Sequence, residues 1–208
     1  MADKNFGFIP STMDGTEIIF GAPEKLNIPS TYNYRPYLPR VINQGELSIC
    51  VPCSISANLN WRENLKDGEP KDNKIALMDI YAAKTTEGDG MTFKEALHFL
   101  RHEGVRSKVG LLKIGHYGRV VSIPILKYAL VMNGPCLGAL PVYSDDCDFW
   151  NKKYGQSLLG YHAISIVGYD EDGFIIRNSW GDDFCDGGYT KIDAEDFTKL
   201  IEVWTIID

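Results

Sequence analysis

The sequence predicts an α+β fold, with helices in its first half and strands in its second half. Apolar residues at helical spacing follow Cys50 and again follow Thr92. Beyond residue 136 the chain changes to short apolar runs separated by glycine-rich turns, a pattern typical of antiparallel strands. With 208 residues, 44% of them hydrophobic, the chain can bury one good core, as one domain or as two tightly joined lobes.

The N-terminal part is expected to differ from the rest. Residues 1 to about 27 are interrupted by glycines and prolines, so we interpret them as an extended arm. Residues 28–208 are predicted to form the folded domain, with a helical lobe over about 45–120 and a β-rich lobe over about 121–208.

The first helix is expected over about 50–65, with Ile55 and Leu59 in its apolar stripe. Pro52 is compatible with a helix only in the first turn, so Cys50 must lie at the helix N-terminus. Unpaired N–H groups and the helix dipole stabilise a thiolate at that position. Cys50 therefore differs from an ordinary buried cysteine.

The third helix has the clearest start and stop signals. Thr92 and Glu95 form a capping box, and Gly104 lies where a C′ glycine belongs. Shorter helices are predicted over 75–83 and 124–132. Five strands are predicted, over 137–142, 163–169, 174–177, 189–192 and 202–207.

Strand pairing is expected to bring His162 and Asn178 together. His162 begins one predicted strand, Asn178 follows the next, and the turn over 170–173 joins them antiparallel. If residues 171 and 172 form the centre of the turn, residue 162 should pair across the two strands with residue 180 or 181. Residue 178 would then lie within about one residue pair of residue 162. An amide oxygen on the imidazole N–H would fix the tautomer and leave the other nitrogen for a thiol.

Composition excludes several classes of partner. The net charge of −7 argues against a surface that binds nucleic acid, and no run of about 20 apolar residues predicts a membrane span. The N-terminus does not have the pattern of a secretory signal. The five cysteines are odd in number and scattered, so we expect free thiols in a reducing, intracellular compartment, cytoplasmic or within a virion. Cys136, Cys147 and Cys185 are expected to be buried or incidental thiols.

Several segments resemble the papain family of cysteine peptidases, in the right order from Ile28 to the C-terminus. The tetrapeptide Asn178-Ser179-Trp180-Gly181 is the most specific of them. The others are Gln44-Gly45-Glu46-Leu47-Ser48-Ile49-Cys50, Tyr161-His162-Ala163, Gly168-Tyr169, Gly188-Tyr189, and Ile28 to Arg35.

The resemblance implies a two-lobed papain-like fold with a β-barrel-like second lobe and the active site in the cleft between the lobes. It also implies hydrolysis of peptide or protein substrates through a thioester acyl-enzyme, without metal or organic cofactor. Cys50 would be the nucleophile, His162 its acid/base partner, Asn178 the residue orienting the histidine, and Gln44 an oxyanion donor. Five residues would bind substrate or shield the site: Gly90, Met91, Tyr161, Ala163 and Trp180.

The sequence departs from the family in ways that leave alternatives open. Val51 replaces the tryptophan that usually follows the nucleophile, and Ile49 is bulkier than the usual residue. The arm is too short for the folded propeptide of eukaryotic relatives. A catalytically silent papain-like binding protein, or an amidase or transferase using the same acyl-enzyme, therefore stays open beside the peptidase.

Three further motifs have competing interpretations. Cys50 and Cys53 form a C-x-x-C, but the strand that precedes such a redox motif is missing, leaving a reversible protective disulfide as a minor hypothesis. His98 and His102 have metal-binding spacing without a third ligand, so a solvated helix face is favoured. The acidic run over 145–148 is more typical of a solvated loop than of a cation site. The sequence says nothing about oligomeric state.

Overall fold

The computed structural model describes residues 6–25, 27–67, 75–108 and 110–208. Residues 1–5, which contribute to the expectation that the N-terminus is not a secretory signal, lie outside these ranges. No helix in the described ranges is both long and apolar enough to cross a membrane.

The predicted helices form close to their expected positions. Glu95 N donates to Thr92 Oγ1 over 3.1 Å and Thr92 N donates back to Glu95 Oε2 over 2.9 Å, which confirms the capping box. Gly104, with φ of +85°, follows the helix as expected. The α-helices are α1 Cys50–Asp67, α2 Leu77–Ala82, α3 Phe93–His102 and α4 Ile123–Asn133.

The five predicted strands are also present, among others. The strands are β1 Tyr32–Asn33, β2 Val105–Ser107, β3 Gly110–Leu112, β4 His116–Arg119, β5 Cys136–Val142, β6 Gly160–Tyr169, β7 Gly173–Arg177, β8 Tyr189–Asp193 and β9 Glu202–Ile207. The predicted strands, β5 to β9, belong to a seven-stranded sheet in the order β4-β9-β5-β6-β7-β8, with β1 paired to β6. A separate two-stranded sheet pairs β2 with β3.

The sequence did not indicate β1 to β4, and His116 lies in the last of these strands. His116 pairs with Ile207 at the start of β4. This strand is four residues long and contains Gly118, so it has little strand propensity of its own. Its conformation depends on pairing with distant β9, which local pattern does not reveal.

Helix α1 packs against β6, and this contact positions the site. Ser54 Oγ donates to the carbonyl of Ile164 over 2.6 Å, and Ser165 Oγ donates to the carbonyl of Ser54 over 2.7 Å. Both hydroxyls are buried, so the two hydrogen bonds hold the helix in one register against the strand. The start of α1 is thereby fixed beside residues 162 and 163. The α+β class is confirmed.

Candidate active site

Cys50 is the first residue of α1, as the proline argument required. Its sulfur lies 3.5 Å from the backbone N of Ala163 on β6, so the thiol is adjacent to the residue that follows His162. Cys50 is 0% exposed, and this burial raises the pKa of its thiol to about 12, although N–H groups of Ala163 and Gly7 act to lower it. The thiol is therefore protonated in this state.

His162 and Asn178 meet as the strand register predicted. His162 Nε2 lies 2.8 Å from Asn178 Oδ1, and the backbone N of Ser179 donates to the same oxygen over 2.7 Å. Because Ser179 N–H can only donate, this atom must be the amide oxygen, so His162 Nε2 must carry the proton donated to it. Nδ1 of His162, on the opposite edge of the ring, is then the nitrogen that can exchange a proton with a thiol.

An aromatic wall, formed by Trp180, Phe149 and Phe184, encloses the histidine. Trp180 stacks on His162 with ring centroids 4.6 Å apart and planes 28° apart. Phe149 meets His162 edge-on at 5.9 Å and Trp180 at 5.0 Å, while Phe184 meets Trp180 at 4.9 Å. The wall shields the His162–Asn178 hydrogen bond from water, which strengthens it.

Gln44 is buried at the start of an exposed turn and is tied to the asparagine segment. Its Oε1 accepts a hydrogen bond from Ser179 Oγ over 2.5 Å, and its Nε2 donates to the carbonyl of Leu47 over 2.8 Å. The backbone N of Gln44 also donates to the carbonyl of Ser179 over 2.9 Å. These contacts orient the amide on the segment that leads to Cys50.

The N-terminal arm lies over the thiol in an extended conformation. Met91 N donates to the carbonyl of Gly7 over 2.9 Å, and Ile9 N donates to the carbonyl of Met91 over 3.1 Å. Residue 7 must be glycine here, because a Cβ would lie 2.2 Å from the carbonyl oxygen of Ser48. The arm thus runs as a paired peptide between Met91 on one side and Ser48 on the other.

The side chains of the arm fill the surrounding space. Phe6 lies edge-on to His162 at 6.4 Å and to Trp180 at 6.1 Å. Phe8 is buried against Phe93, with ring centroids 5.0 Å apart. Further along, the backbone N of residue 11 donates to Glu202 Oε1 over 2.8 Å. Together these contacts explain why no part of Cys50 reaches solvent.

The sequence-predicted substrate residues gather around this peptide. Met91 supplies the backbone that pairs with the arm. Gly90 has φ of +121°, and a Cβ on this residue would lie too close to the carbonyl oxygen of Gly7. Ala163 is buried beside Cys50, and Tyr161 is half-buried one residue before the histidine. Sequence reasoning missed Phe6, Phe8 and Glu202, because nothing local indicates that an N-terminal arm folds back onto residues 48, 91 and 202.

Two of the cysteines expected to be free thiols are bonded to each other. Cys147 and Cys185 form a disulfide with Cα atoms 5.7 Å apart, so that expectation is wrong. The strand topology brings the two loops together, although the two cysteines are 38 residues apart in the sequence. Their spacing in the sequence therefore did not indicate that they pair. Free thiols were a main reason to expect a reducing compartment, and that reason no longer holds. Cys50, Cys53 and Cys136 are free and buried.

The remaining motifs form solvated surface. His98 and His102 are exposed, with rings 4.3 Å apart, and no cluster of three or more metal-ligating side chains occurs within the described residues. In the acidic run, Asp146 pairs with Lys153 Nζ over 2.7 Å and Asp148 with the same amine over 3.4 Å. Lys153 therefore offsets part of the negative charge of this run.

The chain belongs to the papain family of cysteine proteases. Residues 78–202, more than half of the chain, match that family; the matched stretch includes His162 and Asn178 and begins after Cys50. Solved structures share the two-lobed papain-like fold over nearly the whole chain. Xylellain, a cysteine protease from Xylella fastidiosa, has a TM-score of 0.82 at 22% identity, covering 98% of this chain and 96% of its own. ProCathepsin B S9 from Trypanosoma congolense has a TM-score of 0.78 at 13% identity, and the match covers 98% of this chain and 87% of its own.

Curated relatives are similar over shorter stretches. Cathepsin B-like CP1 of Giardia intestinalis is 38% identical over 96 residues, which cover 41% of this chain and 32% of the relative. Gamete and mating-type specific protein A of Dictyostelium discoideum is 25% identical over 192 residues, 79% of this chain and 42% of the relative. The chain therefore spans less than half of the length of these relatives.

Proposed function

We propose that the chain is a cysteine endopeptidase that hydrolyses peptide bonds through a thioester acyl-enzyme. The observation that carries this proposal is the peptide already lying in the cleft. Residues 6–9 run extended over Cys50, paired by backbone hydrogen bonds to Met91, so the groove has the shape and donors that a polypeptide requires. A substrate strand of suitable sequence would use the same backbone partners.

The catalytic roles follow from the positions of four side chains. Cys50 gives its proton to His162 Nδ1, and the thiolate attacks the scissile carbonyl carbon. The resulting oxyanion accepts hydrogen bonds from the Cys50 backbone N–H and the Gln44 amide. His162, held by Asn178, returns the proton to the leaving amine as the C–N bond breaks.

Deacylation uses the same groups in reverse. Water gives a proton to His162 and attacks the thioester carbonyl, the oxyanion forms again at Gln44, and the C–S bond breaks. Cys50 recovers the proton from His162 as the carboxylic acid product leaves. Each proton thus passes through one imidazole nitrogen, which is why the fixed tautomer matters.

The arm has to leave before a substrate can enter. It occupies the groove, buries Cys50 and holds the thiol in its protonated form. Burial of this kind also suits a catalytically silent binding protein, so an activity test must include a chain whose arm is displaced. Gly7→Ala provides one, because the added Cβ would overlap the Ser48 backbone.

The test uses the full chain with and without Gly7→Ala. Iodoacetamide and a peptidyl epoxide label reactive thiols, mass spectrometry locates them, and hydrolysis of a peptide library is followed in parallel. We expect Cys50 to be labelled and peptides to be cleaved, with both lost in Cys50→Ala and retained in Cys136→Ser, which alters another buried thiol. Methyl ester turnover without peptide turnover would instead indicate an amidase or transferase, and an inert Cys50 in the displaced-arm chain would indicate a scaffold.

A further inference from the structure

The Cys147–Cys185 disulfide connects the two loops that surround the catalytic histidine. Cys147 lies between β5 and β6, in residues 143–159, and Cys185 lies between β7 and β8, in residues 178–188. The second of these loops begins with Asn178. The cross-link therefore fixes the loop that carries the histidine's partner to a loop from the other side of His162.

Each half of the cross-link is adjacent to one ring of the aromatic wall. Phe149 is two residues after Cys147, and Phe184 immediately precedes Cys185. The two rings contact Trp180 at 5.0 and 4.9 Å, and Trp180 in turn stacks on His162 at 4.6 Å. Loosening the cross-link would let the two rings separate and would free Trp180 to move away from the imidazole.

The backbone at Cys185 indicates that the cross-link holds its loop in place. Cys185 has φ of +49°, the one non-glycine residue with positive φ in the described chain. Such a conformation is unfavourable for a residue with a side chain and persists only where the surroundings impose it. The disulfide is also accessible, since Cys147 is exposed and Cys185 half-buried, whereas Cys50 is fully buried.

We propose that the Cys147–Cys185 disulfide is a positioning element for His162 and that reducing it switches catalysis down while the chain stays folded. The proposal rests on the peptidase function proposed above. A dithiol reductant would supply two electrons and two protons, leaving thiols at 147 and 185 and its own cyclic disulfide. Turnover would then require two opposite redox states at once, a reduced Cys50 and an oxidised Cys147–Cys185 pair.

The test compares the full-length wild type with the Cys147→Ser, Cys185→Ser double variant, each with and without Gly7→Ala to displace the arm, and each with and without dithiothreitol. Mass spectrometry reports which thiols are free, peptide hydrolysis gives kcat and KM, and Cys50 alkylation is measured from pH 4 to 10. We expect kcat to fall at least about 10-fold on reduction and in the double variant, because misplacement by about 1 Å can cost 100-fold. KM should change little, and the acidic limb of the alkylation profile should move.

Controls separate positioning from stability. Dithiothreitol should lower kcat only in chains that retain the Cys147–Cys185 bond, so Cys136→Ser should respond as the wild type does and the double variant should not. A purely structural cross-link would lower the melting temperature and leave kcat and the pH profile of the folded protein unchanged, which would overturn the proposal. Titrating the wild type with reductant tests the same point if the double variant fails to fold. An inert Cys50 in the oxidised wild type and in oxidised Gly7→Ala would overturn both this proposal and the peptidase function.

Discussion

Replacing Gly7 with alanine should open the active site. The new Cβ would lie 2.2 Å from the carbonyl oxygen of Ser48, 2.4 Å from its carbon and 2.6 Å from its Cα. These are backbone atoms two residues before the start of α1, with no flexible side chain to move aside. The arm must therefore lift at residue 7, and its two hydrogen bonds with Met91 are lost.

The size of the effect follows from those two bonds. A backbone hydrogen bond contributes about 0.5–1.5 kcal/mol net, so losing two shifts the equilibrium between closed and open arm by about 2 kcal/mol, or about 30-fold. If nearly all of the wild type is closed, the rate of Cys50 alkylation and kcat/KM for peptides should rise by about that factor. The catalytic side chains themselves are unchanged.

Gly21→Ala is the matched control, because it lies on the same arm and a Cβ there would have no atom within 4 Å. Alkylation by iodoacetamide, located by mass spectrometry, and hydrolysis of a peptide library are measured for both variants. Equal rates in Gly7→Ala and Gly21→Ala would refute the idea that the arm limits access. A lower rate in Gly7→Ala would mean that Ser48 moved instead of the arm.

Three further substitutions test the site and the fold. Asn178→Ala should lower kcat about 10–100-fold with KM little changed, since it removes a hydrogen bond to a charged imidazole, and kcat equal to wild type would argue against its role. Gln44→Ala should lower kcat about 100–1,000-fold if its amide binds the oxyanion, whereas a change in KM alone would exclude that role. Burial acts to raise the pKa of Glu95, but hydrogen bonds from Thr86, Thr92 and Thr85 lower it to about 2. Its ionised form therefore stabilises the fold above the unfolded pKa of about 4.5 and loses this effect as pH falls toward 2. With discounting for solvent screening, Glu95→Gln should cost about 1–2 kcal/mol in urea unfolding at pH 7 and little at pH 2, and an equal loss at both would contradict this.

Features set by local sequence were predictable. The capping box of α3 and the position of Pro52 each act within one helical turn, so they placed two helix starts correctly. The hairpin register also followed from one short turn, and it brought His162 to Asn178 because pairing of adjacent strands depends on few residues. The geometry of the candidate site was therefore predictable wherever each step depended on near neighbours in the chain.

Features that depend on distant contacts were not predictable. The Cys147–Cys185 bond requires two loops to lie next to each other, and the sequence of neither loop indicates that the other is its neighbour. The path of the arm depends on Met91 and Glu202, which lie more than 80 residues further along the chain. Nothing in the composition of residues 6–11 distinguishes a peptide that fills a cleft from a solvated tail.

The arm links access to the site with the reactivity of the nucleophile. In the closed state the cleft is filled, and burial keeps the pKa of the Cys50 thiol near 12, so the sulfur is both unreachable and protonated. Departure of the arm removes the N–H of Gly7 from the sulfur but relieves the desolvation, which is the larger effect. The sulfur then remains at the N-terminus of α1, where the helix dipole favours the thiolate. Opening should therefore admit the substrate and activate the thiol in one step, so wild-type alkylation should need a higher pH than alkylation of the Gly7→Ala chain.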